Sequence, residues 1–262
     1  MFWVLYNFLH WHFMSFILIL CVIGFVAYRN IRTKIHNKFD SKKILYSISI
    51  GQLTAIGLSI LFICHSLDWH LRPHAVEVIR FIGDHSNQAI LIALMYVGMF
   101  LALPLSQFSC SISPKELGLQ KPRLSIFQTF KFFSYGCIVV ISIRLFFYFI
   151  FPESINNQVP VNFIETNSPY ISILLFAGIA PFIEELFYRG LIFNTLKENI
   201  KLEYSLILQA FLFAISHGAF DDFAIHFING LIYGYLYFKT RSLLPSIILH
   251  LLIDILFVGI VF

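Results

Sequence analysis

The chain of 262 residues is too apolar and too poor in charge to be a water-soluble domain. Apolar residues make up 58% of it and charged residues only 12%, whereas a soluble domain carries about 25% charged residues. The net charge of +4 is spread over short loops instead of one basic patch, which excludes a nucleic-acid-binding protein.

Eight apolar runs follow one another along the chain, and a helix of about 20 residues suffices to cross the hydrocarbon of a membrane. They lie at residues 8–28, 44–66, 86–106, 127–150, 170–193, 204–220, 223–238 and 243–262. Nothing between them is long enough for a soluble domain. The sequence therefore predicts one membrane domain over residues 1–262, with the all-α fold of a polytopic integral membrane protein.

The charges of the connecting loops alternate. Three loops are basic: 29–43, 107–126 and 239–242. Two loops are neutral or acidic: 151–168 and 218–222. This alternation follows the positive-inside rule for a chain whose N-terminus lies outside. The loop at 67–85, with Arg72 and Arg80, departs from it. We expect a location in a bacterial cytoplasmic membrane, with the basic loops in the cytoplasm.

The cysteines and several histidines fall in no motif. No CxxC or metal-ligand spacing joins the four cysteines, which are interpreted as buried small apolar side chains without a disulfide: Cys21, Cys64, Cys110 and Cys137. Four histidines are interpreted as interfacial or packing residues: His10, His12, His65 and His226.

Charged groups inside a membrane helix cost roughly 2.5–3.5 kcal/mol each, so they face a cavity or one another. The first such cluster is in residues 180–190, APFIEELFYRG. Glu185 and Arg189 are four residues apart and can pair along one helix face. Glu184 points about 100° away and keeps no local partner, so it can act as a base and then as an acid. The alternative is that these charges cap a helix end.

Two further helices carry polar residues in the last third of the chain. His217 ends an apolar run one turn after Phe213, and alone it is typical of a helix-end histidine. His250 and Asp254 are four residues apart in the final run. A carboxylate at that spacing can fix the tautomer of an imidazole; the alternative is a polar pair that holds two helices together.

Helix depth brings these residues to one level. At 1.5 Å per residue, His250 lies about 10 Å from the cytoplasmic end of its helix. Glu184 lies at a similar depth if its helix ends near Leu191. His217 comes near it, at about 15 Å, if its helix enters the membrane near Ile207. The sequence therefore predicts one site, opening toward the cytoplasm, built by three helices.

Small residues and a proline support close packing around this site. Gly230 and Gly234 form a small-xxx-small face on the seventh run. Pro181 precedes Glu184 by about one turn and can open the helix there, so that backbone groups line a wet cavity.

These motifs resemble those of the CPBP intramembrane protease family, which includes CAAX prenyl endopeptidases and bacteriocin-immunity proteins. The family pattern is EExxxR on one helix, FxxxH on the next and HxxxN or HxxxD on the last. Here the pattern corresponds to Glu184 to Arg189, Phe213 to His217 and His250 to Asp254. The resemblance spans roughly residues 170–255, and it assigns the catalytic core helices to 170–262.

The resemblance implies an intramembrane endopeptidase that hydrolyses a peptide bond of a membrane-associated substrate, either prenylated or leader-bearing. Carried over by position, Glu184 and His217 would activate water and His250 would stabilise the oxyanion. Asp254 would orient His250, because an ionised carboxylate cannot donate to an oxyanion. The supporting residues would be Glu185 and Arg189.

The residues themselves do not decide whether the site uses a metal cofactor. Glu184, His217 and His250 match a catalytic zinc ligand set. The same groups also suffice without a metal, and the metal-free mechanism is favoured. The expected partners are membrane lipid and a membrane-associated peptide or protein, with no nucleic acid; the sequence does not indicate an oligomeric state.

Two other functions fit the same composition. One is a non-catalytic bacteriocin-immunity or binding protein that keeps the fold. The other is a transporter that uses the polar residues as an ion path, although such proteins often show inverted repeats and none is evident in the sequence.

Overall fold

The structure, a computed structural model, describes residues 17–28, 39–66, 85–150, 174–217 and 220–261. Within these ranges the regular elements are all helices, and no strand occurs in them, which confirms the all-α fold class. The predictions for residues 8–16, for His10 and His12, and for the loops at 29–38, 67–84, 151–173 and 218–219 lie outside the described residues, as do those for the side chains of Cys64 and His65. The predicted burial of the cysteines is wrong for Cys21, which is exposed, while Cys110 and Cys137 are half-buried.

Eight helices correspond to the eight predicted apolar runs, with ends that differ by a few residues. They are α1 (Ile17–Tyr28), α2 (Ser41–Ser66), α3 (His85–Cys110), α4 (Ile126–Ile150), α5 (175–197), α6 (Leu202–Ser216), α7 (Phe220–Thr240) and α8 (Leu244–Val261). In α2, α3 and α4 the structure has spans long and apolar enough to cross a membrane, and α1, α6 and α8 contain shorter apolar helices. The chain is thus a polytopic membrane protein.

One end of the bundle collects the connections that follow α1, α3, α5 and α7. Hydrogen bonds tie these connections together: the amide of Phe39 donates to Glu198 Oε2 at 3.0 Å, and that of Arg123 donates to the Thr240 carbonyl at 2.8 Å. We call this end, formed by residues 39–43, 109–125, 194–201 and 239–243, the basic end. It holds nine lysines and arginines: Lys42, Lys43, Lys115, Lys121, Arg123, Lys197, Lys201, Lys239 and Arg241.

Helix α5 is the centre of the bundle, since every residue from 183 to 196 is buried. It contacts α3, α6, α7 and α8. Its backbone is irregular: π-helical segments at Leu175–Ile179 and Glu185–Phe193 alternate with α-helical segments at Ala180–Glu184 and Asn194–Lys197. The wider π-turn is rare and frequently marks a functional site. Here it begins at Glu185, directly after Glu184.

The glycines of α7 let α6 approach closely, as the small-xxx-small face predicts. A Cβ on Gly230 would lie 2.9 Å from the Cα of Ala210, and one on Gly234 would overlap the Gln209 side chain. Gln209 Nε2 donates to the Gly230 carbonyl at 2.7 Å. These contacts set the spacing between α6 and α7. His217 follows the last residue of α6.

A second close crossing joins α2 and α3 at Gly51 and Gly98. A Cβ on Gly98 would lie 2.8 Å from the Gly51 carbonyl oxygen and 2.9 Å from the Cβ of Ala55. Because these neighbours are backbone and a Cβ atom, neither can rotate away. The crossing therefore requires glycine on both helices.

We expect Gly98→Ala to lower the free energy of unfolding by about 1–3 kcal/mol, the usual cost of overpacking a close contact. Thermal unfolding in detergent measures this change. Gly57→Ala is the matched control on α2, because a Cβ there meets nothing within 4 Å and alanine favours the helix. Equal melting temperatures for the two variants would contradict the conclusion that this crossing requires glycine.

Candidate active site

Glu184 on α5 is surrounded by side chains from three other helices. The hydroxyl of Tyr96 on α3 donates a short hydrogen bond to its Oε1. Its Oε2 lies 3.7 Å from Nε2 of His217, at the end of α6, and 3.7 Å from Nε2 of His250 on α8. The structure therefore brings together the glutamate and two histidines that the sequence places on separate helices.

His217 is held by its own helix. It follows α6 as the C-terminal cap, and its Nδ1 lies 2.8 Å from the Phe213 carbonyl. Since a carbonyl can only accept, Nδ1 carries the proton and Nε2 faces Glu184. The FxxxH spacing thus fixes the tautomer through the backbone.

The bounds of α6 differ from the sequence prediction. The helix spans Leu202–Ser216, whereas the predicted run spans residues 204–220. His217 meets Glu184 because it terminates the helix, where the side chain can turn into the bundle.

His250 has a different partner from the one its spacing suggests. Its Nδ1 lies 3.0 Å from Glu185 Oε1, whereas Asp254 Oδ2 lies 3.6 Å from Nε2. The ring also stacks on Tyr233, with 4.7 Å between centroids. Glu185, the second glutamate of the EExxxR motif, therefore contacts Nδ1 of His250. Asp254 lies on the Nε2 side of the ring, which faces Glu184.

Glu185 and Arg189 form the predicted ion pair, with 2.9 Å between Oε1 and NH1 and both side chains fully buried. The guanidinium lies over two rings, 4.3 Å from the centroid of Phe213 and 5.3 Å from that of Tyr233. Its NH2 is 3.5 Å from the Gly230 carbonyl. The pair therefore connects α5 with α6, α7 and α8, and it places Glu185 against His250.

Three residues at the site were missed by sequence reasoning. Tyr96 and Arg144 lie in apolar runs for which the sequence predicts no functional residue, and His226 is predicted to be an interfacial or packing histidine. Arg144 NH2 is 4.0 Å from Asp254 Oδ1. His226 does pack, but its partner is His217, at 3.9 Å between ring centroids and 20° between planes. The cost of a charge in lipid could have singled out Arg144; Tyr96 and His226 carry no comparable signal.

The site is closed on one side and open on the other. The side chains of Glu184 and His250 are only 6% exposed, whereas those of His217 and Asp254 are 22% and 24% exposed. Arg144, at 21%, borders the same open side. The site is therefore accessible at His217 and Asp254, beside Arg144 of α4.

Zinc would need ligand atoms about 3.3 Å apart, the separation of two tetrahedral ligands each about 2.0–2.1 Å from the metal. The two histidine nitrogens each lie 3.7 Å from Glu184 Oε2. Among the described residues, no group of three His, Cys, Asp or Glu side chains has the arrangement of a metal site. Glu184, His217 and His250 are the residues that would hold the ion.

Comparisons with known proteins agree with the motifs. Residues 166–256 match the model of the type II CAAX prenyl endopeptidase Rce1-like family, and this segment contains all three motifs. The match confirms the family resemblance and covers about a third of the chain.

A curated protein of Bacillus subtilis (strain 168), named "Putative membrane peptidase YdiL", is 25% identical over 113 residues. The aligned part is 43% of this chain and 46% of the relative, so the chain spans about half the length of the relative it matches. No solved structure matches the chain. The family and the relative both indicate a membrane protease.

We expect Tyr96→Phe to lower peptidase activity about tenfold or more, because a hydrogen bond to a charged group contributes roughly 1.5–3 kcal/mol and this one positions Glu184. The measurement is kcat on a membrane peptide at equal melting temperature. Tyr135→Phe is the control, since Tyr135 is exposed on α4. Equal activity of both variants would show that Tyr96 does not position the carboxylate.

Proposed function

We propose that the protein is an intramembrane endopeptidase that hydrolyses a peptide bond of a membrane-associated peptide, with Glu184 as the base. The supporting observation is that Glu184 Oε2 faces Nε2 of both His217 and His250 at 3.7 Å, inside the helix bundle. A carboxylate between two imidazoles supplies a base, an acid and an oxyanion donor within one cluster.

Water is positioned between Glu184 and His217. Hydrogen bonds of about 2.8 Å to both atoms are compatible with a separation of 3.7 Å. In its Nδ1-protonated form, His217 accepts one hydrogen bond from this water through Nε2. Glu184 takes the other proton while the water oxygen attacks the peptide carbonyl.

His250 is placed to stabilise the charge that develops on that carbonyl. Its Nδ1–H donates to Glu185, so a second proton on Nε2 points into the site toward Glu184 and Asp254. The imidazolium then donates to the oxyanion. When the carbon–nitrogen bond breaks, Glu184 returns its proton to the leaving nitrogen, which completes the hydrolysis without a further reactant.

Asp254 and Arg144 form the exposed border of this site. Asp254 accepts from the Nε2 side of His250 when no substrate is bound, and Arg144 offsets its charge at 4.0 Å. We propose that substrate displaces this contact, so that Asp254 assists His250 through its charge and does not donate to the oxyanion.

The proposed location is a bacterial cytoplasmic membrane, with the basic end in the cytoplasm. Arg144 lies six residues from the far end of α4, and His217 lies at the far end of α6. His250, by contrast, lies six residues into α8 from the basic end. The opening toward the cytoplasm therefore stays a prediction.

Glu184→Gln removes the base and keeps the shape of the side chain, so we expect peptide cleavage to fall by at least about 10²-fold. Purified variants are compared on a library of membrane peptides by mass spectrometry. Glu203→Gln, an exposed glutamate in the first turn of α6, is the control. Full cleavage by Glu184→Gln would refute the assignment. Absence of cleavage in the well-folded wild type would instead favour the immunity or binding protein.

The proposed mechanism uses no metal, so a zinc chelator should leave cleavage unchanged. The measurement is the initial rate after dialysis against the chelator, with the melting temperature as a check on folding. Activity that disappears and returns with zinc alone would replace the metal-free mechanism with one in which Glu184, His217 and His250 bind the ion.

A further inference from the structure

A cavity of about 460 Å³ lies at the basic end, apart from the catalytic cluster. Four cationic side chains line it, together with two carboxylates: Lys115, Arg123, Lys197 and Arg241 with Glu116 and Glu198. On α5, Lys197 is thirteen residues beyond Glu184, which is roughly 15–20 Å along a helix. The cavity is thus a separate site, at the level where the helices end.

Each of the two carboxylates accepts hydrogen bonds from neighbouring amide or hydroxyl groups. Glu116 Oε2 accepts from the Ser113 amide at 2.9 Å and from the Ser113 hydroxyl at 2.8 Å. Glu198 Oε2 accepts from the Phe39 amide. The lining thus has four cationic side chains against two carboxylates. The cavity therefore presents an excess of positive charge.

Lys197 and Arg241 both line the cavity. Lys197 Nζ donates to Asn194 Oδ1 at 2.7 Å, and Asn194 is itself buried. Burial and the charge of Arg241 lower the pKa of Lys197, which lies beyond the predicted membrane span, to about 8. A bound anion would relieve this repulsion between cations.

Arg241 occupies a position that favours glycine. Its φ is +54°, in the left-handed region, where a side chain costs roughly 1 kcal/mol or more. Its amide donates to the Tyr237 carbonyl, and its own carbonyl accepts from Gln120 Nε2. The backbone of this turn is thus fixed by contacts that do not involve the guanidinium. The guanidinium lies 4.9 Å from the centroid of Phe238, at the cavity.

We propose that this cavity binds a phosphate group, most directly the headgroup phosphate of an anionic phospholipid in the surrounding membrane. Arginine and lysine bind phosphate oxygens by charge-assisted hydrogen bonds, and basic pockets between helix ends bind lipid headgroups. The positive-inside rule accounts for basic residues at this end, but it does not require that four of them line one cavity.

Binding would connect the two helices that carry the site. Lys197 ends α5, which bears Glu184, and Arg241 lies in the turn before α8, which bears His250. A phosphate between them would hold these helices together from the membrane surface. The inference goes beyond the proposed proteolysis and does not depend on it, since binding is measured without a substrate.

The test uses the full chain in detergent, titrated with phosphatidylglycerol, with phosphatidylcholine or with inorganic phosphate, and follows the melting temperature. Wild type should be stabilised by phosphatidylglycerol and not by phosphatidylcholine. Arg241→Gly, which suits the left-handed backbone, and Arg123→Gln should each weaken the apparent affinity about fivefold, as expected for one basic residue near a lipid surface. Lys201→Gln removes an exposed charge at the same end and should bind as wild type does.

The outcomes separate the sources of phosphate. Stabilisation by phosphatidylglycerol alone assigns the cavity to lipid, whereas equal stabilisation by inorganic phosphate, lost in both arginine variants, assigns it to a free phosphate. No stabilisation of wild type by either probe would overturn the proposal. So would unchanged affinity in both arginine variants, because the anion would then bind elsewhere.

Discussion

The fold depends on one buried ion pair. Glu185 and Arg189 lie at the centre of an apolar helix bundle, and both side chains are completely buried. Removing either partner would leave a buried charge without compensation, at a cost of about 3–5 kcal/mol. The bundle instead supplies an arginine partner for the glutamate, two aromatic rings for the guanidinium and the backbone of α7. These contacts fix how α5, α6, α7 and α8 meet.

The catalytic geometry follows from that constraint. Once Glu185 is held by Arg189, its Oε1 is available to His250 Nδ1 at 3.0 Å. Glu184, the residue directly before the wide turn, then points toward the Nε2 atoms of both histidines. The motif EExxxR therefore makes two different contacts from one helix: Glu185 meets His250 Nδ1, and Glu184 faces the Nε2 atoms of both histidines. Adjacent residues can divide the work because successive side chains on a helix diverge by about 100°.

The two ends of the bundle also have different proposed roles. The proposed catalytic site is open beside α4, away from the basic end, whereas the basic end forms a cavity suited to phosphate. Both sites share α5 and the α7–α8 region. A lipid bound at the basic end and a peptide bound at the proposed catalytic site would therefore act on the same helices.

The sequence by itself determined the helical membrane fold and the positions of the three motifs. Hydrocarbon thickness sets the length of each apolar run, and the cost of charge in lipid makes Glu184, Glu185 and Arg189 conspicuous. The ion pair between Glu185 and Arg189 was predictable as well, because it joins residues one turn apart. The start of α6 and its end at Ser216 were not, since helix ends depend on neighbouring contacts.

Only the tertiary structure decided which side chains meet across helices. Sequence spacing favoured Asp254 as the residue that orients His250, but Nδ1 lies against Glu185, from a helix 65 residues away in the chain. Tyr96 and His226 join the site for the same reason. Local spacing reports neighbours on one helix, whereas contacts between helices are set by rotation and packing depth, which glycines such as Gly230 and the buried charges determine together.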